Sequence, residues 1–232
     1  MPRMISIAAQ DGGNFNAYLA EPASRQGPGV LVIQEIFGIN TVMRGICDDL
    51  ARQGYYALCP DLFWRIEPGL MLDDRIEPDL QRAFQLFGQF DLDKGVADLK
   101  AALPVLRGLP GATGKVGAVG YCLGGRLAYL MATRSDVDCS TGFYGVYLQN
   151  HLDEAAQIKK PLLLHCATED KFVPKDAQAL IAEGLKGYPL VTRHDYVGQD
   201  HAFARIGGEH YDKASADLAN QRTSAFFKQH LA

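Results

Sequence analysis

Lys115-Val-Gly-Ala-Val119-Gly120-Tyr121-Cys122-Leu123-Gly124-Gly125-Arg126 is the stretch whose reading decides the fold. Lys115 to Val119 is short and apolar, as a buried strand is, and Arg126 to Thr133 is helix-forming and free of breakers. Between them Gly-x-Cys-x-Gly sets a single thiol at the tip of a strand-to-helix turn. Glycine on both sides lets the neighbouring backbone pass without a Cβ clash, so one side chain can be held exposed in a strained conformation. The same turn aims the first helical N–H groups at whatever binds there, a setting for negative charge. Such a cysteine is a candidate nucleophile, and the rest of the chain has to supply its partners.

The 232 residues suffice for one sizeable core, and a single domain spanning 1–232 is expected. Apolar residues make up 47% and charged residues 22%, ordinary values for a globular protein. A formal net charge of −4 leaves no basic footprint, which argues against nucleic acid as a partner. No apolar run approaches the ~20 residues that span a bilayer. Met1-Pro-Arg-Met-Ile-Ser-Ile leads straight into a strand pattern without the parts of an export signal, so a cytoplasmic location is expected, with no membrane partner. Of the five cysteines, no pair has C-x-x-C spacing, so neither a disulfide framework nor a zinc knuckle is indicated. Cys47, Cys59, Cys139 and Cys166 sit in apolar or strand-like settings; only Cys122 lies at a Gly-flanked turn.

Outward from the turn, strands and helices alternate. Ser6 to Ala9 and Asn16 to Ala20 flank Asp11-Gly12-Gly13-Asn14 as a hairpin. Val30-Leu-Val-Ile33 reads as a strand buried on both faces. Asn40 caps a helix to about Gln53 with Val42 or Met43, Ile46 and Leu50 on one face. Tyr55 to Cys59 is the next strand. Residues 60 to 76 form a long Pro-, Gly- and Asp-rich excursion holding the only tryptophan, Trp64. Glu77 to Phe90 is helical, with Phe84, Phe87 and Phe90 spaced along it. Asp91 to Arg107 is a clearer amphipathic helix with Val96, Leu99, Leu103 and Leu106 as its stripe. After the central turn come a strand running into a loop over Ser140 to Tyr147, strands at Pro161 to Cys166 and Leu190 to Tyr196, and helices at Lys175 to Leu185 and Tyr211 to His230. The alternation argues for a mainly parallel, helix-covered sheet, with the site at the C-terminal ends of its strands. Glu35, Cys122, Asp170 and His201 each fall at or just beyond such an end.

That placement defines a chemistry. A thiol needs a base, and His201, alone in a Gly-flanked loop after the late strand, can take its proton and pass it on to a leaving group. Asp170 can orient the imidazole and stabilise the cation that forms. The N–H of Leu123 and one from the loop after Val30–Ile33, with Ile36 the expected donor, would receive the oxyanion. His165, inside an apolar strand, reads as a satisfied core residue. Two weaker signals point elsewhere. Gly108 to Val116 has a phosphate-loop look but is one residue too long and has Val116 where a metal-binding hydroxyl belongs; Gly117, Gly120 and Gly124 do not keep dinucleotide spacing. They leave a non-catalytic Rossmann-type nucleotide-binding domain as the alternative from another class.

Gln34-Glu35-Ile36-Phe37-Gly38, Cys59-Pro60-Asp61-Leu62, Gly120-Tyr121-Cys122-Leu123-Gly124-Gly125, Tyr144-Gly145-Val146 and His201-x-Phe203-Ala204-Arg205 together resemble the dienelactone hydrolases (carboxymethylenebutenolidases) over nearly the whole chain. The central turn resembles the nucleophile elbow of the α/β-hydrolases, and the order nucleophile, acid, histidine is theirs. The resemblance implies an α/β-hydrolase fold, with a mainly parallel central sheet of about 7–8 strands and helices on both faces. It further implies a monomeric hydrolase without cofactor or metal that opens a lactone formed in chlorocatechol breakdown. Carried across, it makes Cys122, Asp170 and His201 the triad and Glu35 a partner of the resting thiol. Arg205 becomes a holder of the substrate carboxylate, and Tyr144 and Phe37 line the pocket. Four positions depart from the family: Leu80 replaces a second carboxylate-binding arginine, Phe84 and Phe87 replace tyrosine and tryptophan, and Ala202 replaces serine. The hydrolytic set is intact and the pocket altered, which keeps open a broader esterase or thioesterase with changed carboxylate recognition.

Overall fold

Continuous β-branched and aliphatic runs such as Val30 to Ile33 can be satisfied only inside a sheet covered on both faces, and the structure places them there. The computed structural model describes residues 2–232. Its strands are β1 (Arg3–Ala8), β2 (Asn14–Ala20), β3 (Gly27–Ile33), β4 (Tyr56–Pro60), β5 (Ala112–Tyr121), β6 (Cys139–Phe143), β7 (Leu162–Ala167) and β8 (Val191–Tyr196). Its helices are α1 (Thr41–Arg52), α2 (Glu77–Gln89), α3 (Leu92–Arg107), α4 (Leu123–Arg134), α5 (Lys175–Gly184) and α6 (Lys213–Leu231). The eight strands form one mostly parallel sheet in the order β1-β2-β4-β3-β5-β6-β7-β8. The chain divides into two compact units, one ending at Ala118 and the other running Val119–Ala232.

In the first unit, β1 and β2 form the expected hairpin, β2 pairs antiparallel with β4, and β4 pairs parallel with β3. Asn40 caps α1, its Oδ1 accepting the Met43 N–H at 3.2 Å, and Asp91 caps α3 through the Lys94 N–H at 3.1 Å. The α3 stripe is buried as expected. On α1 the buried residues are Met43, Cys47, Leu50 and Ala51, so Cys47 takes the place expected of Ile46. On α2 the phenylalanines are not the inner face: Ala83 and Leu86 are buried, while Phe84 is 44% exposed.

Residues 61–72 are pinned along their length. Asp61, itself buried, accepts the N–H groups of Phe63 and Gly69 at 3.1 and 2.7 Å. Trp64 Nε1 and Arg65 Nη2 each donate to the buried carboxylate of Asp98 on α3 at 2.8 Å. The segment also holds the loop after β3. Leu62 N donates to Gln34 Oε1 at 3.1 Å, Leu72 N to the Phe37 carbonyl at 2.9 Å, and Asn40 Nδ2 to the Leu72 carbonyl at 3.1 Å. Two of the excursion's backbone donors, at Leu62 and Leu72, thus go to residues 34–37, while those of Phe63 and Gly69 fold the segment on Asp61.

In the second unit, β6, β7 and β8 pair in parallel, α4 packs on β6, and α6 packs on β6 and β7. His165 on β7 is a core residue, as expected. It is fully buried, with Nδ1 at 2.8 Å from the Tyr196 hydroxyl and Nε2 at 3.0 Å from Thr223 Oγ1. One element had no sequence counterpart, a 3₁₀ segment at Leu148–Gln157, broken at His151 (φ −129°). His151 there receives the Arg126 guanidinium on Nε2 at 3.0 and 2.7 Å, and Glu154 is gripped by Arg134 at 2.7 and 2.6 Å.

Candidate active site

β5 runs on to Tyr121 and α4 begins at Leu123, so Cys122 alone makes the turn. Its backbone sits at φ 57°, ψ −114°, a region that costs a non-glycine residue roughly 1–3 kcal/mol. Its surroundings impose that geometry. Cys122 N donates to the Phe143 carbonyl at 3.1 Å, and its own carbonyl accepts from Gly125, Arg126 and Val146 at 3.0, 3.2 and 3.4 Å. A Cβ on Gly120 would overlap the Gly124 carbonyl, and one on Gly125 would strike the backbone of Phe143 and Gly145. The glycines flanking the cysteine are therefore required by backbone-to-backbone approach. Cys122 is partly accessible, unlike the buried Cys47, Cys59 and Cys139.

His201 and Asp170 meet as the sequence predicts. The imidazole Nδ1 lies 2.9 and 3.0 Å from the two carboxylate oxygens, and both residues are buried. Asp170 Oδ1 also accepts the N–H groups of Phe172 and Val173 at 2.9 and 3.2 Å, which fixes the carboxylate. Burial alone would drive the imidazolium to neutrality. The Cys122 sulfur first, and then the Asp170 carboxylate that accepts from Nδ1, outweigh it and push His201 up to about 10. The imidazole is therefore held on its Nδ1 side by a fixed carboxylate.

Tyr144 and Phe172 close on the imidazole edge-on, with ring centroids 5.0 and 4.8 Å away. Tyr144 is buried and takes positive φ (38°), as does Ala202 (62°) directly after the histidine. Arg205 is buried at 5% exposure, its N–H bonded to the Ala202 carbonyl at 2.9 Å. Phe172 was missed from sequence. It is 49% exposed yet lies against the base, and its only signal is its position two residues beyond Asp170.

In the first unit, Glu35, Ile36 and Phe37 are all buried, at 3%, 5% and 7% exposure. Glu35 is therefore not a solvated carboxylate but lies within the fold beyond β3. On α2, Leu80 and Phe87 are half-buried and Phe84 exposed. Arg82, two residues from Leu80, is engaged by Glu67 through Nε at 3.0 Å. Among the described residues no helix is long and apolar enough to cross a membrane.

A mostly parallel sheet whose fifth strand breaks at a strained cysteine into a helix, with an acid and a histidine beyond later strands, defines an α/β-hydrolase. Comparison with known proteins narrows the class. The chain belongs to the dienelactone hydrolase family, whose sequence profile matches residues 15–231. It is 43% identical over 222 residues to a carboxymethylenebutenolidase of Pseudomonas putida, covering 96% of this chain and 94% of that one. It is 39% identical over 220 residues to carboxymethylenebutenolidase 1 of Cupriavidus pinatubonensis, covering 94% and 93%. A solved structure from Klebsiella pneumoniae subsp. pneumoniae superposes with a TM-score of 0.87 at 27% identity, covering 99% of this chain and 98% of that one. The chain is thus a dienelactone hydrolase-like enzyme, a hydrolase of the lactone and ester class. The nucleotide-binding alternative falls with that assignment.

Proposed function

We propose that this enzyme opens a dienelactone-like lactone, or cleaves a small carboxylic ester, through a thioester on Cys122. The observation that carries the reading is the meeting of His201 with Asp170, Nδ1 lying 2.9 Å from the carboxylate, in a chain that also holds Cys122 at a strained strand-to-helix turn. The thiolate attacks the carbonyl carbon, and the oxyanion is received by the N–H groups of Leu123 and Ile36. As the C–O bond breaks, His201 passes its proton to the leaving oxygen, which in a lactone stays tethered to the acyl group. His201 then takes a proton from water, the hydroxide attacks the thioester, and the acid leaves with Cys122 restored. Asp170 holds the imidazole through both steps. Glu35 is the partner of the resting thiol, a role its burial suits. Arg205 holds a substrate carboxylate, for which a buried planar fork is well shaped. Phe37 and Tyr144 line the pocket. The setting is a cytoplasmic monomer acting in chlorocatechol-type aromatic breakdown.

A second reading is favoured by α2. Leu80 stands where the family resemblance calls for an arginine, and the nearby Arg82 is committed to Glu67. One cation fewer for the carboxylate points to a broader esterase or thioesterase, with Phe84, Phe87 and Ala202 completing the change. A hydrolysis panel decides between the two: cis- and trans-dienelactone, neutral lactones, p-nitrophenyl esters and thioesters. Cys122→Ala should abolish turnover with the circular dichroism spectrum unchanged; persistent activity removes Cys122 as nucleophile. Arg205→Ala should lower kcat/KM for carboxylate-bearing substrates at least about tenfold more than for neutral esters, the value of one charge-assisted pair. An equal loss on both assigns Arg205 to structure.

A further inference from the structure

Asp170 and His201 stand on two separate loops, after β7 and after β8, and short polar loops do not hold a hydrogen-bond geometry unaided. Here the loops are laced together. Thr168 N donates to the Tyr196 carbonyl at 3.1 Å and Glu169 N to the Gln199 carbonyl at 2.8 Å. Gly198 N donates to Thr168 Oγ1 at 2.9 Å. The last stitch before the catalytic pair is a single side-chain oxygen. Asp200 Oδ1 accepts the His201 N–H at 2.7 Å and, from the other loop, the Lys171 N–H at 3.1 Å. These are the backbone groups adjoining the base on one side and the acid on the other.

We infer that Asp200 is a positioning residue of this active site, a carboxylate clamp that sets the loop of Asp170 against the loop of His201 and so fixes the length of their hydrogen bond. The inference rests on the triad reading above. Its second oxygen faces outward, to Lys171 Nζ at 2.9 Å and His210 Nε2 at 3.6 Å, and the side chain is 17% exposed. Glu209 lies near enough to Lys171, and Glu169 near enough to Asp200, to be felt electrostatically. Burial pushes the Asp200 carboxyl upward, yet Lys171, the two N–H groups and His210 hold it below the usual range, as befits an acceptor that stays charged. A neutral acceptor of the same shape could make the two backbone bonds; an alkyl group could make neither.

The test compares Asp200→Ala with Asp200→Asn in steady-state kinetics and in the proton resonance of His201 Nδ1–H. Asp200→Ala should lower kcat about 30-fold with KM within about threefold, since misplacement near 1 Å costs up to about 100-fold. Its Nδ1–H resonance should shift upfield or broaden as the pair separates. Asp200→Asn should keep kcat within about fivefold and keep the resonance, because its amide oxygen spans the same two donors. Should Asp200→Ala lose its native circular dichroism, Asp200→Ser, too short to bridge, carries the same expectation. Wild-type kcat and resonance in the short variants would overturn the clamp, as would a loss in Asp200→Asn equal to theirs. The resonance reads the Asp170–His201 bond without turnover. A failure of Cys122 as nucleophile, seen in Cys122→Ala, is therefore separate from a failure of the clamp.

Discussion

At the scale of single residues the site is a set of groups forced out of their ordinary states. Cys122 is held at φ 57° by backbone contacts, and His201 keeps its proton although it is buried. Burial disfavours the imidazolium, so its persistence depends on negative charge from two sides, Cys122 first and then Asp170. With His201 at about 10, the ring stays protonated through neutrality and loses its proton only as pH rises past that value. Nitrogen chemical shifts of the His201 ring followed against pH should report a midpoint near 10 in the wild type. In Cys122→Ala the strongest support of the cation is gone, and the midpoint should fall well below that. A midpoint that stays in place would mean Asp170 alone sustains the imidazolium, and the thiol would lose its claim as partner.

At the scale of elements, the segment 61–72 and the loop after β3 stand or fall together. Gly38 has φ +74°, and a Cβ there would overlap the Leu70 carbonyl oxygen, whereas Gly69, at φ +77°, has no atom within 4 Å. Both substitutions to alanine meet the left-handed penalty of about 1–2 kcal/mol, but only Gly38→Ala must also push two backbones apart. Urea unfolding should therefore show Gly38→Ala costing at least about 2 kcal/mol more than Gly69→Ala, and equal costs would show that the segment yields freely. Legibility followed the same division between local and distant causes. β3, β4 and β7 were readable because burial on both faces writes a continuous apolar run. The meeting of Asp170 with His201 was readable because parallel strands end on one edge, and the Cys122 turn because glycines flank it. The 3₁₀ segment at Leu148–Gln157 was not, since it breaks at His151 and buries only Leu148 and Ala155. The inner face of α2 was not written in its phenylalanine spacing, since Ala83 and Leu86 are the residues that face inward. Phe172 and Asp200 act across loops, and contacts of that kind leave no periodic trace in the chain.

For the molecule as a whole, the response to acid turns on a buried residue outside the proposed triad. His165 joins β7 to Tyr196 at the end of β8 and to Thr223 on α6, and it is buried with a hydroxyl group on each ring nitrogen. Burial, with His194 and Arg222 adding repulsion, lowers it to about 3. A base depressed in the fold contributes stability that is complete above its unfolded value near 6.5 and is lost as pH falls toward 3. Between pH 7 and pH 4 that loss is roughly 3 kcal/mol, at 1.36 kcal/mol per unit, a large share of a domain's total. Asp61 works the other way: burial raises its carboxyl, so its fold prefers the protonated form and gains as pH falls. The two are separable by mutation. His165→Asn loses volume and packing at every pH, a constant cost, but no longer titrates. The difference in unfolding free energy between pH 7 and pH 4 should therefore be smaller in His165→Asn than in the wild type by about 3 kcal/mol. An identical difference in both proteins would move the acid sensitivity to the carboxylates and leave His165 as an ordinary packed ring.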